Sequence, residues 1–174
     1  LGPPTGPRNV YAYNNSNYAL LALMIEALTD TSYEAACRAR VLDPIGVDAT
    51  PSPRTGAFLS WGGWQMTVKD YAKFHAHWYG GDTMTGADPF AQPHVAVGGG
   101  AYYGLGTFFR PFRQRYNFWH HGALCFADGP TVGSFAVTWA AEWTVVAAYD
   151  KCVSWDAMGA LDNAMGQAVF GALE

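Results

Sequence analysis

The sequence predicts an α+β fold in which a helical part is followed by antiparallel strands and a closing helix. Two observations indicate this order. Apolar residues recur at three- and four-residue spacing in the first part of the chain, whereas aromatic and β-branched runs bounded by Gly, Glu or Asp dominate after residue 100. Helical spacing returns from residue 154. We therefore divide the chain into a helical subdomain, residues 1–81, and a sheet portion, residues 82–174.

The composition excludes several classes of protein. Of 174 residues, 50% are apolar and 14% are charged, so the chain has too much apolar surface to stay disordered. Ten basic and fourteen acidic residues give a net charge of −4, which offers no attraction for a nucleic-acid backbone. No apolar run approaches the roughly 18 residues of a membrane-spanning helix. We expect neither nucleic acid nor a membrane span.

Two helices are predicted in the first part of the chain. Residues 17–28 are dense in apolar side chains and alanine, which favours a largely buried helix. Thr31 and Glu34 have the spacing of a capping box, so a second helix is expected over residues 32–41, before Pro44 and Gly46. The short connection requires these two helices to pack together.

A third helix follows segment 44–66, which is rich in Gly and Pro and is predicted to be irregular. Thr67 and Asp70 have the spacing of a helix start, and Gly80 and Gly81 end the helix. The side chains of one stripe face the core: Val68, Tyr71, Ala72, His75, Trp78 and Tyr79.

The titratable residues of this third helix are expected to be structural. His75 and His77 are two positions apart, so they point to different faces and cannot share a metal ion. Lys69 and Asp70 match a helix start and are assigned to the surface.

The second half of the chain predicts strands and a final helix. After a Gly-rich stretch, residues 82–100, three or four antiparallel strands are expected over residues 108–112, 116–120, 134–140 and 143–149. The amphipathic helix over residues 154–173 places these side chains on one face: Trp155, Met158, Leu161, Met165, Val169 and Leu173.

Three cysteines lack the spacing of a zinc site. A disulfide between Cys125 and Cys152, with Cys37 buried, is one arrangement that the sequence leaves open, because the distance between the pair is unknown.

Two short segments stand where chemistry is expected. Tyr13-Asn14-Asn15 directly precedes the first helix, and His120-His121-Gly122-Ala123 lies where a strand ends. With their surroundings, these segments resemble the serine β-lactamase and penicillin-binding-protein superfamily, in particular its branch of class C β-lactamases, D-alanyl-D-alanine carboxypeptidases and esterases.

Further segments follow in the order of that family, and the resemblance covers essentially the whole chain. It depends on shared order and spacing rather than on one strong motif. Thr107 stands where the family usually has an aromatic residue. The matching segments are the stretch from Pro4 to Asn15, Asn17 to Leu21, Glu26 to Thr29 with Ser32 to Glu34, Leu42 to Gly46, Gly62 to Phe74, and Tyr103 to Gly106.

The resemblance implies catalytic roles for three residues. Tyr13 would be the phenol that, with a lysine, relays the proton of the nucleophile, and a nearby cation is needed for it to ionise at neutral pH. Asn15 would orient the substrate carbonyl. The backbone N–H of Ala123 would be an oxyanion donor.

The strand residues before Ala123 would bind substrate. His120 replaces the lysine of the family's Lys-Thr-Gly sequence, and a neutral imidazole holds a carboxylate less firmly than an ammonium does. His121 lies beside it, and Gly122 lets the substrate lie along the strand without a side-chain clash. The resemblance implies no metal and no cofactor.

Structural interpretations compete with each of these roles. Tyr13 and Asn15 are also typical of a turn and cap before a helix, and His120 and His121 of a strand end packed on aromatic residues. Several aromatic residues either line a cleft or fill the core: Trp61, Trp64, Tyr102, Phe118 and Trp119.

The covalent chemistry of the family needs Ser-x-x-Lys, and none of the six serines has lysine three positions later. Family members carry this nucleophile upstream of Tyr-x-Asn. The resemblance therefore implies the C-terminal portion of a hydrolase whose Ser and Lys come from an N-terminal segment or a second chain. Alone, such a portion would expose an unpaired sheet edge and an apolar face, and would be ordered chiefly with its partner.

The resulting hypothesis is a serine hydrolase that acts on amide or ester bonds through an acyl-enzyme, although this chain alone would be inactive. The alternatives are a binding module or pseudoenzyme of the same fold, or a regulatory chain that completes another hydrolase. Peptidoglycan stem peptides, β-lactams, esters and small peptides all stay open as substrates. The family is commonly exported, which implies a periplasmic or secreted protein.

Overall fold

The computed structural model describes residues 11–83, 85–129 and 131–171. Two predictions fall partly outside these residues. They are the first part of the matching segment, from Pro4 to Val10, and Leu173, the last residue of the predicted C-terminal stripe. The fold is α+β, with helices and antiparallel sheets, as the sequence predicts. The proposed division between residues 81 and 82 stays a prediction.

The helical elements lie mainly in the first half of the chain. Helix α1 spans Asn15–Thr29, α2 spans Tyr33–Cys37, and α3 spans Val68–Tyr79. A π-helical turn, Arg38–Leu42, and a 3-10 turn, Asp43–Ile45, continue α2. Single 3-10 turns also occur at Gly56–Phe58 and Pro89–Ala91, and α4 closes the chain at Trp155–Phe170.

The strands form two antiparallel sheets. Strands β1 (Ala49–Pro51) and β2 (Trp64–Met66) form a small ribbon inside the segment that the sequence predicts to be irregular. The main sheet has six strands, each paired with its neighbour in the chain. These strands are β3 (His94–Gly98), β4 (Ala101–Gly104), β5 (Thr107–Phe112), β6 (Arg115–Cys125), β7 (Thr131–Trp139) and β8 (Trp143–Tyr149).

The hairpin of β3 and β4 is missing from the sequence prediction. Its two-residue turn is Gly99 and Gly100, and these residues and Gly98 at the end of β3 all have positive φ. Glycine adopts this conformation readily, so a cluster that suggests a long loop instead closes a tight hairpin.

The main sheet has a helix on each face. Alternate side chains of β7, Phe135, Val137 and Trp139, form a buried cluster with Met158 of α4. The intervening Thr138 bonds to His75 of α3. Because neighbouring strand residues point to opposite faces, α3 and α4 lie on opposite sides of the sheet.

Helix α1 is not buried, contrary to the sequence prediction. None of its residues is buried, and its half-buried side chains form one narrow stripe, which includes Tyr18, Ala22 and Ile25. The opposite face is apolar and exposed, and Leu28 is 84% exposed. High apolar density predicts burial only where another element covers the helix, and no described element covers this face. The exposed face consists of Leu20, Leu21, Leu23, Met24 and Leu28.

The start of α2 differs from the predicted capping box. The hydroxyl of Ser32, not Thr31, accepts the N–H of Ala35 at 3.2 Å. Glu26 of α1 accepts the N–H of Tyr33 at 2.8 Å, so the two helices are joined directly.

Helix α3 begins as predicted, but one of its residues is placed differently. Thr67 accepts the N–H of Asp70 at 3.0 Å and donates its hydroxyl to the same carboxylate at 2.6 Å. Lys73 also donates to Asp70 at 2.9 Å. Asp70 is therefore buried at the helix start and not on the surface, whereas Lys69 is exposed as expected. These bonds, that of Thr67 first, lower the pKa of Asp70.

A disulfide joins Cys125 at the end of β6 to Cys152 before α4. Cys37 is free and half-buried, so the arrangement with a fully buried Cys37 is wrong in that detail. Within the described ranges, no helix is long and apolar enough to cross a membrane.

We predict that removing the disulfide destabilises the chain by about 3 kcal/mol, because the cross-link closes a loop between cysteines 27 residues apart. Cys125→Ser with Cys152→Ser should lower the free energy of unfolding by that amount in a urea titration, which appears as a lower denaturant midpoint. Cys37→Ser is the control and should leave the midpoint nearly unchanged. Equal midpoints for the double variant and the wild type would contradict the prediction.

Candidate functional site

All six residues that the sequence assigns to a site line one cleft of about 1710 Å³. Tyr13 and Asn15 come from the start of α1, and the other four come from the second half of β6. These four are His120, His121, Gly122 and Ala123. The structure therefore places a phenol and an imidazole, more than a hundred positions apart in the chain, around one cavity.

The second half of β6 has an open edge toward this cleft. Its pairing with β5 ends at Trp119, which lies opposite Phe108. Its pairing with β7 continues to Cys125, which lies opposite Thr131. Within the described part of the chain, residues 120–125 therefore have a strand partner on one side only. Such an edge can bind an extended polypeptide or substrate by strand addition.

The space over Gly122 is open. A Cβ built on Gly122 meets no atom within 4 Å, so the face of the strand on which it would stand is free. The hydroxyl of Tyr149 donates to the Gly122 carbonyl at 2.9 Å, which holds this part of β6 against the sheet. A side chain at Gly122 would project into free space without disturbing the fold.

The two adjacent histidines point to opposite faces of the sheet. The ring of His121 packs edge-on against Trp155, with 4.2 Å between the ring centroids, on the side of α4. His120 shares the other face with Phe118, whose ring stacks on Tyr79 of α3. The two imidazoles therefore cannot both hold one substrate group, although both border the cleft.

Burial keeps both imidazoles neutral. It is the main cause that lowers the pKa of His120 to about 4, and a charge on His121 would lower it further. Burial also lowers the pKa of His121. His120 is therefore uncharged at neutral pH.

Tyr13 is connected to His120 through aromatic rings. Its ring lies edge-on to Tyr103, with centroids 5.9 Å apart, and Tyr103 contacts Phe108 at 4.9 Å. The ring centroid of Phe108 lies 6.2 Å from that of His121, on which it stacks, and 6.4 Å from that of His120. These contacts form an apolar wall between the phenol and both imidazoles.

The surroundings of Tyr13 oppose its ionisation. Burial, followed by the neighbouring phenols of Tyr18 and Tyr11, raises the pKa of Tyr13. Among the described residues of the cleft wall, Arg54 is the one permanent cation and no lysine is present. A phenol that relays a proton would therefore need a cation that the described residues beside Tyr13 do not supply.

Asn15 is not required as a helix cap. Asn14 caps α1, since its side-chain oxygen accepts the N–H of Ser16 at 2.8 Å. Asn15 is half-buried, is the first residue of the helix and lines the cleft. The interpretation as a helix cap therefore applies to Asn14 and not to Asn15.

The aromatic residues divide between wall and core. Trp61 and Trp64 line the cleft. Phe118 is fully buried, Tyr102 stacks on Phe109, and Trp119 stacks on Phe108.

His75 belongs to the cleft and was not assigned to the site from the sequence. Its Nδ1 lies 2.8 Å from the hydroxyl of Thr138, which lies 2.7 Å from that of Thr144. The other ring nitrogen, Nε2, has no hydrogen-bond partner among the described residues. Burial and then His120 lower the pKa of His75 to about 3. The sequence did contain a signal for this residue. His75 lies in the middle of the stripe that is predicted to face the core, and a titratable side chain in a core can indicate a functional site.

No family model, curated protein or solved structure matches this chain. The resemblance to penicillin-recognising hydrolases therefore depends on the ordered sequence segments alone. The cleft geometry is an independent observation.

We predict that acid destabilises the chain through its buried imidazoles. His75 and His120 stay neutral in the fold down to about pH 3 and 4 but bind protons near pH 6.5 when unfolded. Their contribution is thus complete above pH 6.5 and falls as the pH drops below it, by about 3 kcal/mol per histidine at pH 4.5.

The measurement is a series of urea titrations between pH 7 and 4.5. The free energy of unfolding falls as the pH is lowered over this range. His75→Gln should make this fall less steep, by the amount that corresponds to the uptake of one proton on unfolding. His77→Gln, which changes an exposed histidine of the same helix, should keep the wild-type slope. If His75→Gln leaves the pH dependence of the free energy of unfolding unchanged, His75 is not held in its neutral form by burial.

Proposed function

We propose that this chain is the C-terminal, substrate-positioning portion of a serine hydrolase of the penicillin-recognising superfamily, which cleaves amide or ester bonds through an acyl-enzyme. One observation carries the proposal: Tyr13 and Asn15 share a cleft with the open edge of β6 at residues 120–123. The supporting sequence segments occur in the order of the family.

The proposed first step forms the acyl-enzyme. The hydroxyl oxygen of a serine from outside this chain attacks the substrate carbonyl carbon, and its proton passes to Tyr13 and an accompanying lysine. The carbonyl electron pair moves onto the oxygen, where the N–H of Ala123 stabilises the charge. Collapse expels the alcohol or amine, which takes up the proton.

The second step releases the acid. Water loses its proton to the same relay, attacks the acyl carbonyl, and the serine leaves with the proton restored. Asn15 and the edge of β6 at Gly122 hold the acyl group in both steps.

Three features of the fold support a further polypeptide segment that supplies Ser and Lys. The cleft of about 1710 Å³ exceeds the roughly 300–1,000 Å³ of a small-molecule site. The outer face of α1 is apolar and exposed. Strand β8 is the last of the sheet, and its sequence from Trp143 to Tyr149 carries no charge and no proline to protect it. An N-terminal segment or a second chain with Ser-x-x-Lys would cover these surfaces.

The disulfide between Cys125 and Cys152 supports a periplasmic or secreted location, because such bonds persist in oxidising compartments.

A binding module without catalysis is the second candidate. The observation that favours it is the raised pKa of Tyr13, which burial and neighbouring phenols hold away from ionisation. In that case the cleft would bind the same extended ligands without turning them over.

We predict that a fluorophosphonate or β-lactam labels one serine when these residues are joined to the segment that supplies the nucleophile. The 174-residue chain alone should stay unlabelled, because none of its serines has the required lysine. Intact-mass spectrometry measures both outcomes. A folded, joined protein without a labelled serine would refute the hydrolase and leave the binding module.

We predict in addition that Tyr13→Phe lowers kcat about 10²- to 10⁴-fold in the joined protein, because it removes the proton relay. Tyr33→Phe, which changes another phenol of the cleft wall, is the control and should keep most of the activity. Unchanged turnover in Tyr13→Phe would remove Tyr13 from the mechanism.

A further inference from the structure

The wall of the cleft carries very little charge. Among its described residues, Arg54 and Asp150 are the two that are charged at neutral pH, and both are exposed. The rest of the wall is apolar, aromatic or neutral and polar.

The titratable groups of the wall are held in their neutral forms. Burial lowers the pKa of His75 and of His120, so neither imidazole is a cation near pH 7. Burial likewise raises the pKa of Tyr33 and Tyr71 to about 12, so these phenols keep their protons.

The two charged residues offer little to an anionic substrate at the edge of β6. Asp150 directly follows β8 and lines the cleft, so the exposed charge that it adds to the wall is negative. Arg54 lies in the connection between β1 and β2, and its exposed guanidinium is screened by water and salt.

We propose that the cleft selects uncharged esters or amides with an apolar or aromatic acyl group, and rejects substrates whose acyl group carries a carboxylate. A carboxylate that enters this wall loses water and meets, among the described residues, a single cation, the exposed and screened guanidinium of Arg54, which disfavours its binding. The aromatic rings of Trp61 and Trp64 supply apolar contact area for a neutral acyl group instead. The preference in turnover rests on the proposed function, whereas the preference in binding rests only on the composition of the cleft wall.

The turnover test compares p-nitrophenyl valerate with p-nitrophenyl hemiglutarate, which has the same chain length but ends in a carboxylate. In the joined protein we expect kcat/KM to be at least tenfold higher for the valerate ester. Asp150→Asn should narrow this ratio two- to threefold, because it removes the negative charge at the wall. Asp128→Asn, which changes an exposed aspartate outside the cleft, should leave the ratio unchanged. An equal or higher kcat/KM for hemiglutarate would overturn the proposal.

The binding test needs no chemistry and separates the two proposals. N-acetylphenylalaninamide and N-acetylphenylalanine are titrated into the joined protein, and the indole N–H signals of Trp61 and Trp64 are followed by NMR. We expect the amide to bind at least fivefold more tightly than the carboxylate. If neither ester is turned over while this preference holds, the hydrolase fails and the charge selection stands. Equal or tighter binding of the carboxylate, or binding of neither compound, would overturn the charge selection.

Discussion

The unequal pairing of β6 is the constraint on which the site depends. Strand β5 leaves β6 after Trp119, whereas β7 stays paired with it to Cys125. Residues 120–125 are therefore fixed by a sheet on one side and open on the other, which combines rigidity with an accessible backbone. The bond from Tyr149 to the Gly122 carbonyl and the disulfide at Cys125 strengthen this part of the strand. The edge is open because β5 begins only at Thr107 and has no residue opposite 121–125.

The second constraint is the low polarity of the cleft wall, which determines the protonation of its groups. Imidazoles that would titrate near pH 6.5 in water stay neutral here, and the phenol of Tyr13 keeps its proton. The proposed chemistry therefore needs a cation that these residues do not provide. The exposed apolar face of α1, the unprotected edge of β8 and the size of the cleft all favour a covering segment that brings it.

Local sequence rules succeeded where a short-range interaction decides the structure. The Thr67 cap begins α3, and the apolar spacing of the last segment produces α4, which packs on β7 through Met158. The rules failed where a distant element decides. The apolar density of α1 predicts burial, but a helix is buried only if something covers it. The glycines at 98–100 suggest a loop, but the pairing of β3 with β4 makes them a hairpin turn.

By itself, the sequence determined the α+β class, the antiparallel strands, the starts of α3 and α4, and the short segments that contain Tyr13, Asn15 and residues 120–123. These follow from spacing and capping, which act over a few residues. The tertiary structure alone decided that these segments meet in one cleft, that His120 and His121 face opposite ways, and that His75 joins the wall. Those results depend on sheet register and long-range packing, which no local pattern encodes.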